Sequence, residues 1–257
     1  MDAAVLFDQF KKYHESEDLV EEVIQRFYSS FLSPDKSHAI DCGCHKGYHT
    51  EPLSRVCKTV VGIDANSEMC DFLISQLKQQ NVVNCKIVHA AVQNDPQLKS
   101  VTFYISDNFL GRSSLTRLWD VIDKSVSYRP ITAPATTIDQ LMITFQLDKV
   151  DFIKLDLEGG EYMALKGAEI LLRRDQPALV MENSVHAADQ GGFLKTDPFD
   201  YLTGLGYVLM SPNGNIVTRD NLFPFFYLFA VPAVRFDELR GHLIKAYLEI
   251  CKSHNLI

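Results

Sequence analysis

The sequence predicts an α/β fold: a mostly parallel sheet with helices on both faces, an antiparallel last strand and a helical extension in front. Three observations carry this. From residue 38, short unbroken apolar runs alternate with helical patterns, as strands buried on both faces of a parallel sheet require. The first run, "HAIDC", ends in Asp41 and leads into a turn containing Gly43 and Gly47. Near the other end, "GYVLMS" and "FFYLFAVP" follow each other with no helix between them, which reads as an antiparallel finish.

Taken in order, residues 1–35 read as two helices forming an N-terminal extension, with 36–257 as the main domain. "HAIDC" is the first strand and "HTEPLSRVC" the helix after it. "TVVGIDA" is the second strand, and "SEMCDFLISQLKQQ" is a helix with Ser67 as its N-cap. "CKIVHAAV" is a single third strand. Between 100 and 137 lie two extended pieces, "SVTFYIS" and one ending at "ATT", joined by a polar loop, "DNFLGRSSLTRL". "IDQLMITF" is a short helix before the fourth core strand, "VDFIKLDLE". A single helix, "GEYMALKGAEILLRR", then leads to the strand "PALVMEN". A polar loop at 184–197, the helix "PFDYLTGLG" and an Asn213-Gly214 turn complete the pattern.

With 257 residues, 46% of them hydrophobic and 23% charged, the chain can bury the core of one large domain. No apolar run is long enough for a membrane span, and the acidic, amphipathic start does not resemble a secretory signal. Six cysteines scattered over strands and helices read as reduced thiols in a cytoplasmic protein. Net charge is −8 with no Lys/Arg cluster, which argues against nucleic acid as a partner.

"DCGCHKGYH" places Cys42, Cys44, His45 and His49 within eight positions and raises the question of zinc. Structural zinc sites pair a C-x(2–4)-C knuckle with a second, distant pair. Here the spacing is C-x-C, no second knuckle follows, and the four side chains are too close in sequence to converge on one tetrahedral ion. The segment reads instead as a ligand-binding turn at the carboxyl end of a strand, where doubly wound sheets bind their ligands. Glycine there lets the backbone approach a ligand and tolerates positive φ. The second strand ends in Asp64, and an acidic group at that place can accept both hydroxyls of a ribose. The dinucleotide pattern G-x-G-x-x-G and the G-K-[ST] of a phosphate loop are both absent.

The segments "IDCGCHKGYHT", "VVGIDAN", "HAAV", "GRSSL", "TTIDQL", "DFIKLDLEGGEYMALKGAEILL" and "PALVMEN" together resemble the FkbM family of S-adenosylmethionine-dependent methyltransferases, over roughly residues 38–232. The resemblance implies the class I methyltransferase, Rossmann-like sheet of seven strands with the last antiparallel. It implies that Asp41, Gly43, Cys44, Gly47 and Tyr48 form the turn around the methionine part of the cofactor. Asp64 and Ala65 would hold the ribose, Ala91 would lie beside the adenine, and Asp156 would complete the set. His45 departs from the glycine that other class I enzymes often carry there.

Asp156 and Glu182 end the fourth and fifth strands, with Glu158 just beyond the former. Carboxylates at adjacent strand ends suit proton removal from an acceptor hydroxyl, so Asp156, Glu158 and Glu182 are the candidate catalytic set. Asp156, Glu182 and Asn183 are alternatively hard oxygen ligands for Mg²⁺ or Mn²⁺. His186 is a further candidate base, and Glu161 suits the positive end of its helix. The base-methylating motif [ND]-P-P-[YF] and the Pro-Cys nucleophile are missing. The expectation is an O-methyltransferase acting on a small-molecule hydroxyl, with a sugar or glycosylated metabolite implied by the resemblance alone. A non-catalytic protein of the same fold and a nicotinamide-dependent oxidoreductase are the rivals.

Overall fold

The computed structural model describes residues 17–117, 125–183, 194–222 and 225–256. One helix of the expected N-terminal pair is seen, α1 (Glu17–Ser29); residues 1–16 lie outside the described part. The strands and helices that follow are β1 (His38–Cys42), α2 (Thr50–Val56), β2 (Thr59–Asp64), α3 (Ser67–Gln79), β3 (Cys85–His89), β4 (Ala91–Val92), β5 (Ser100–Ser106), β6 (Tyr128–Thr136) and α4 (Ile138–Thr144). After them come β7 (Phe152–Leu155), α5 (Glu161–Lys166), α6 (Glu169–Asp175), β8 (Ala178–Glu182), α7 (Asp197–Gly204), β9 (Tyr207–Met210), β10 (Tyr227–Pro232) and α8 (Phe236–Ser253).

Seven strands form the main sheet in the order β3-β2-β1-β7-β8-β10-β9. β1, β2, β3, β7 and β8 are parallel, and β10 runs antiparallel to both its neighbours. This is the class I methyltransferase topology that the sequence implies. Alternate residues of each strand enter opposite cores, as a period of two dictates. Ile40, Val61, Ile153, Leu179 and Met181 pack with Ile138, Leu141, Leu165 and Leu171 on one face. Ala39, Val60, Phe152, Val180 and Phe229 pack on the other with Val23, Ile24 and Phe27 of α1 and Leu239 and Leu243 of α8. α1 is therefore built into the core. By the same parity Lys154 and Glu182 point toward the α1 side, and Asp41 lies directly opposite Lys154 in the register. None of the described helices is long and apolar enough to cross a membrane.

Four elements differ from the sequence reading. The N-cap of α3 is Asn66, whose side chain accepts the Glu68 N–H, and Ser67 is the first helical residue. "CKIVHAAV" is two strands: the Ala90 N–H makes the last bond to β2, at the Asp64 carbonyl, and β4 then pairs with β6. The helix expected over 160–174 is divided into α5 and α6 at Gly167, where a Cβ would lie 2.1 Å from the Gln93 carbonyl oxygen. α6 then starts afresh, with the Asp139 carboxylate accepting the N–H groups of Ile170 and Leu171. Helix α8, beyond the last strand that the sequence reading marks, has 18 residues.

The two extended pieces at 100–137 form an antiparallel ribbon, β5–β6, which β4 extends to three strands. Phe103, Ile105 and Ala133 of this small sheet pack on Ala65 and Ala91. The β5–β6 ribbon thus roofs the carboxyl end of β2, beside Ala91 of β4.

Candidate active site

A cleft opens at the carboxyl ends of β1, β2, β7 and β8. One end is apolar: Ile63, Ala65, Met69, Ala91 and Val92 line it from below, with Phe103 and Leu115 from the β5–β6 sheet and its loop. The other end is acidic, with Glu21, Asp156, Glu158 and Glu182 around Tyr227. Gly43 and His45 of the turn after β1 join the two ends.

Asp64 stands at the apolar end with both carboxylate oxygens oriented by the backbone. Oδ2 accepts the His45 N–H at 2.9 Å and Oδ1 the Asn66 N–H at 2.8 Å. Burial raises its pKa, against the pull of those two hydrogen bonds. Each oxygen keeps a further lone pair, so the fixed carboxylate can accept from a ligand diol.

The turn is built differently from the expectation that its glycines clear space for a ligand. Gly43 has φ +82°, and a Cβ there would meet the Asp156 carbonyl oxygen at 1.8 Å. Gly47 has φ +89°, and its Cβ would strike Leu73. Both glycines are required by the protein's own packing. Cys44 is buried against Leu73 and Leu77, and the Tyr48 side chain is 56% exposed. Asp41 lies buried beneath the turn, accepting the Thr50 hydroxyl at 2.6 Å. Of the turn residues implied to hold cofactor, Gly43 lines the cleft, whereas Asp41, Cys44, Gly47 and Tyr48 are not among the lining residues, the first three being buried and Tyr48 exposed. The Cys and His side chains of the segment diverge: Cys42 joins the core with Ile40 and Ile153, His49 bonds Glu21, and His45 faces the cleft.

At the acidic end, Lys154 is buried and its Nζ lies 2.6 Å from Asp156 Oδ2. The Tyr227 hydroxyl bridges that same oxygen, at 3.1 Å, and Glu21 Oε1, at 2.7 Å. Glu21 also bonds the His49 ring. Burial opposes ionisation of Glu21, but the His49 hydrogen bond and the Lys154 charge hold its pKa at about 2. Burial likewise disfavours the Lys154 ammonium, and Asp156, Glu21 and Asp41 more than offset this and raise its pKa. Burial, then the charges of Asp156 and Glu21, push the Tyr227 phenol well up, so it stays a donor.

Glu182 is 3% exposed, and its Oε2 has no partner among the described residues. Burial, then the like charges of Glu158, Glu161 and Asp156, push its carboxyl well above the usual range. Carboxylate oxygens of Asp156, Glu158 and Glu182 lie within 4.8 Å of one another, a donor set suited to a hard divalent cation. Asn183, the third ligand that the sequence suggests, is not among the residues lining the cleft, and its amide nitrogen donates to the carbonyls of Leu222 and Phe225, bracing the approach to β10. Glu158 is presented by a left-handed turn (φ +49°) that Glu161 ties down, accepting the N–H groups of Leu157 and Gly159 at 2.8 and 3.3 Å. Glu161 is thus a buried brace as well as a helix-end charge. His186 lies outside the described residues.

The sequence reading missed three site residues: Glu21, Lys154 and Tyr227. Only Lys154 left a local signal, as the one charge inside the apolar run "FIKL". Glu21 and Tyr227 are 206 positions apart and meet only through the fold.

A glycine turn, an acid-ended second strand and a seven-stranded sheet with its reversed strand define a class I methyltransferase. The chain belongs to the methyltransferase FkbM domain family, whose pattern it matches over residues 41–209. No curated protein matches it. Among solved structures it is similar to methyltransferase FkbM from Methylobacillus flagellatus KT, with 17% identity, TM-score 0.46 and 77% of this chain covered. It spans only 44% of that protein's length. It is also similar to SMU.1697c from Streptococcus mutans in complex with SAH, with 16% identity, TM-score 0.45 and 82% and 96% of the two chains covered. A third likeness is to an rRNA methylase from Streptococcus thermophilus, with 14% identity, TM-score 0.44 and 81% and 93% covered.

Proposed function

We propose that this protein is an S-adenosylmethionine-dependent O-methyltransferase whose acceptor is a hydroxyl of a small molecule, a sugar or glycosylated metabolite. The observation that carries the reading is one cleft with a fixed carboxylate, Asp64, at an apolar end and the Asp156–Glu158–Glu182 group at the other. The residues fit the cofactor: Asp64 for the ribose, Ala65, Ala91 and Phe103 for a planar base, and an acidic end for a cationic methionyl part. S-adenosylmethionine supplies the methyl group, as a sulfonium.

The chain's own residues then have to place the hydroxyl and take its proton. Asp156 Oδ2 is already committed to Lys154 and Tyr227, which fixes the carboxylate as an orienting group. Glu182, whose Oε2 has no partner among the described residues, and Glu158 stand beside it. The close approach of three carboxylates favours a second version of this step, with Mg²⁺ or Mn²⁺ held by Asp156, Glu158 and Glu182. A divalent ion there would offset their repulsion and acidify a hydroxyl bound to it.

Net charge −8 and the acidic cleft argue against nucleic acid as acceptor. None of the six cysteines, all among the described residues, is in a disulfide, which suits the cytoplasm. The sugar rests on family likeness. The test is incubation with methyl-labelled S-adenosylmethionine and a panel of sugars, glycosides and phenols, read by mass spectrometry. The reading requires label on an acceptor oxygen; label on RNA or on a nitrogen would refute it.

A further inference from the structure

We infer that His45 is the residue that receives the carboxylate of the bound cofactor's methionyl group. The inference rests on the proposed cofactor and concerns one residue's role toward it.

That ligand is a zwitterion at its amino-acid end. Its ammonium and sulfonium suit the acidic wall, whereas its carboxylate would be repelled by Glu21, Asp156, Glu158 and Glu182. It needs a donor, and no Lys or Arg is among the described residues that line the cleft. In the glycine turn that is the usual recourse, four backbone N–H groups are already committed. The N–H groups of Gly43 and Cys44 both go to the Ile63 carbonyl, at 2.9 and 3.0 Å. The N–H of His45 goes to Asp64, and that of Gly47 returns to the Cys44 carbonyl at 2.7 Å. The Tyr227 hydroxyl is held between Glu21 and Asp156.

Of the residues lining the cleft, two carry a buried side-chain atom with no partner among the described residues, Glu182 Oε2 and His45 Nε2, and the imidazole is the one that can donate; His45 stands at the joint between the two ends. A buried polar atom without a partner is costly, and in a ligand site the ligand is the natural partner. The backbone points the same way: His45 has φ +44°, a left-handed conformation that costs a residue with a Cβ on the order of 1 kcal/mol. An imidazole nitrogen can carry the donated proton whether the ring is neutral or charged, so the contact does not depend on its titration.

The test compares two probes, S-adenosylhomocysteine, which has the carboxylate, and 5′-methylthioadenosine, which lacks it, by calorimetry on the wild type and on His45→Gly. Glycine keeps the left-handed turn while removing the ring, and circular dichroism checks that the variant is folded. His45→Asn, which also tolerates this conformation, is the second variant. The expected result is a loss of roughly ten- to a hundredfold in S-adenosylhomocysteine affinity, the scale of one charge-assisted hydrogen bond. Methylthioadenosine affinity should change less than about threefold, in keeping with loss of packing alone. Equal losses for both probes, or no loss for either, in both variants would overturn the inference while leaving the proposed cofactor standing. Failure of the wild type to bind S-adenosylhomocysteine at all would instead remove the proposed function.

Discussion

Gly43 and Asp156 are in backbone contact: a Cβ on Gly43 would sit 1.8 Å from the Asp156 carbonyl oxygen, and the Asp156 N–H donates to the Cys42 carbonyl at 3.0 Å. The glycine turn and the acidic strand end are therefore held together, which fixes the spacing of the two ends of the cleft. Gly43→Ala should damage the fold itself. Added strain at φ +82° and the clash with backbone predict a loss of about 2 kcal/mol or more in urea unfolding. A variant as stable as the wild type that has lost only ligand binding would show that the glycine serves the ligand directly.

The second prediction concerns Lys154, buried among Asp156, Glu21 and Asp41. Removing one member of a buried charge group strands the others, at a cost of about 3–5 kcal/mol. Lys154→Met, close in length but uncharged, should lower stability by that order in chemical denaturation. Unchanged stability would mean that the surrounding carboxylates find other partners or take up protons.

The third is a pH dependence. The folded-state pKa of Glu21 is about 2, below its ordinary 4.5. A depressed carboxyl pKa contributes stability that is complete above about pH 4.5 and is lost as pH falls toward 2. The full effect is at most about 3 kcal/mol. Glu21→Gln should be less stable than the wild type at pH 7, and the gap should narrow by pH 3 in urea titrations. A gap of constant size would detach Glu21 from the network with His49, Tyr227 and Lys154.

How much of this could be read from the chain follows from how local each cause is. The core strands are legible because each is an apolar run ending in a residue that turns the chain, as at Asp41, Asp64 and Glu182. The apolar end of the cleft is legible for the same reason, since Asp64 and the turn at 43–47 lie beside their strands in sequence. The break at Gly167 is not, because what forbids a side chain there is the distant Gln93 carbonyl. The split of "CKIVHAAV" likewise depends on β6, some forty positions on. At the acidic end, strand parity sends Lys154 and Glu182 to one face, but nothing near them announces that α1 will deliver Glu21 there. Asn183 follows Glu182 in sequence, but the carbonyls of Leu222 and Phe225, some forty positions on, take its amide nitrogen and it is not among the residues lining the cleft.

A fourth prediction separates the two versions of proton removal. If Mg²⁺ or Mn²⁺ occupies the carboxylate group, EDTA should abolish turnover and either ion should restore it. Glu158→Gln should then raise the Mn²⁺ concentration needed for half-maximal activity, because one of three charged ligands becomes neutral. Asn183→Ala should leave that concentration unchanged. Full-rate turnover in EDTA would exclude the ion and leave the carboxylates to act alone, with a loss on the order of 10²–10⁴ in rate expected for Glu182→Gln.

The most direct test of the whole account is calorimetric titration of the purified protein with S-adenosylhomocysteine, with NADH in parallel. One site per chain is expected for S-adenosylhomocysteine and none for NADH. Asp64→Ala should weaken the binding by about 1.5–3 kcal/mol, the worth of hydrogen bonds to a charged carboxylate. Tight NADH binding with no S-adenosylhomocysteine binding, or undiminished binding in Asp64→Ala, would contradict it.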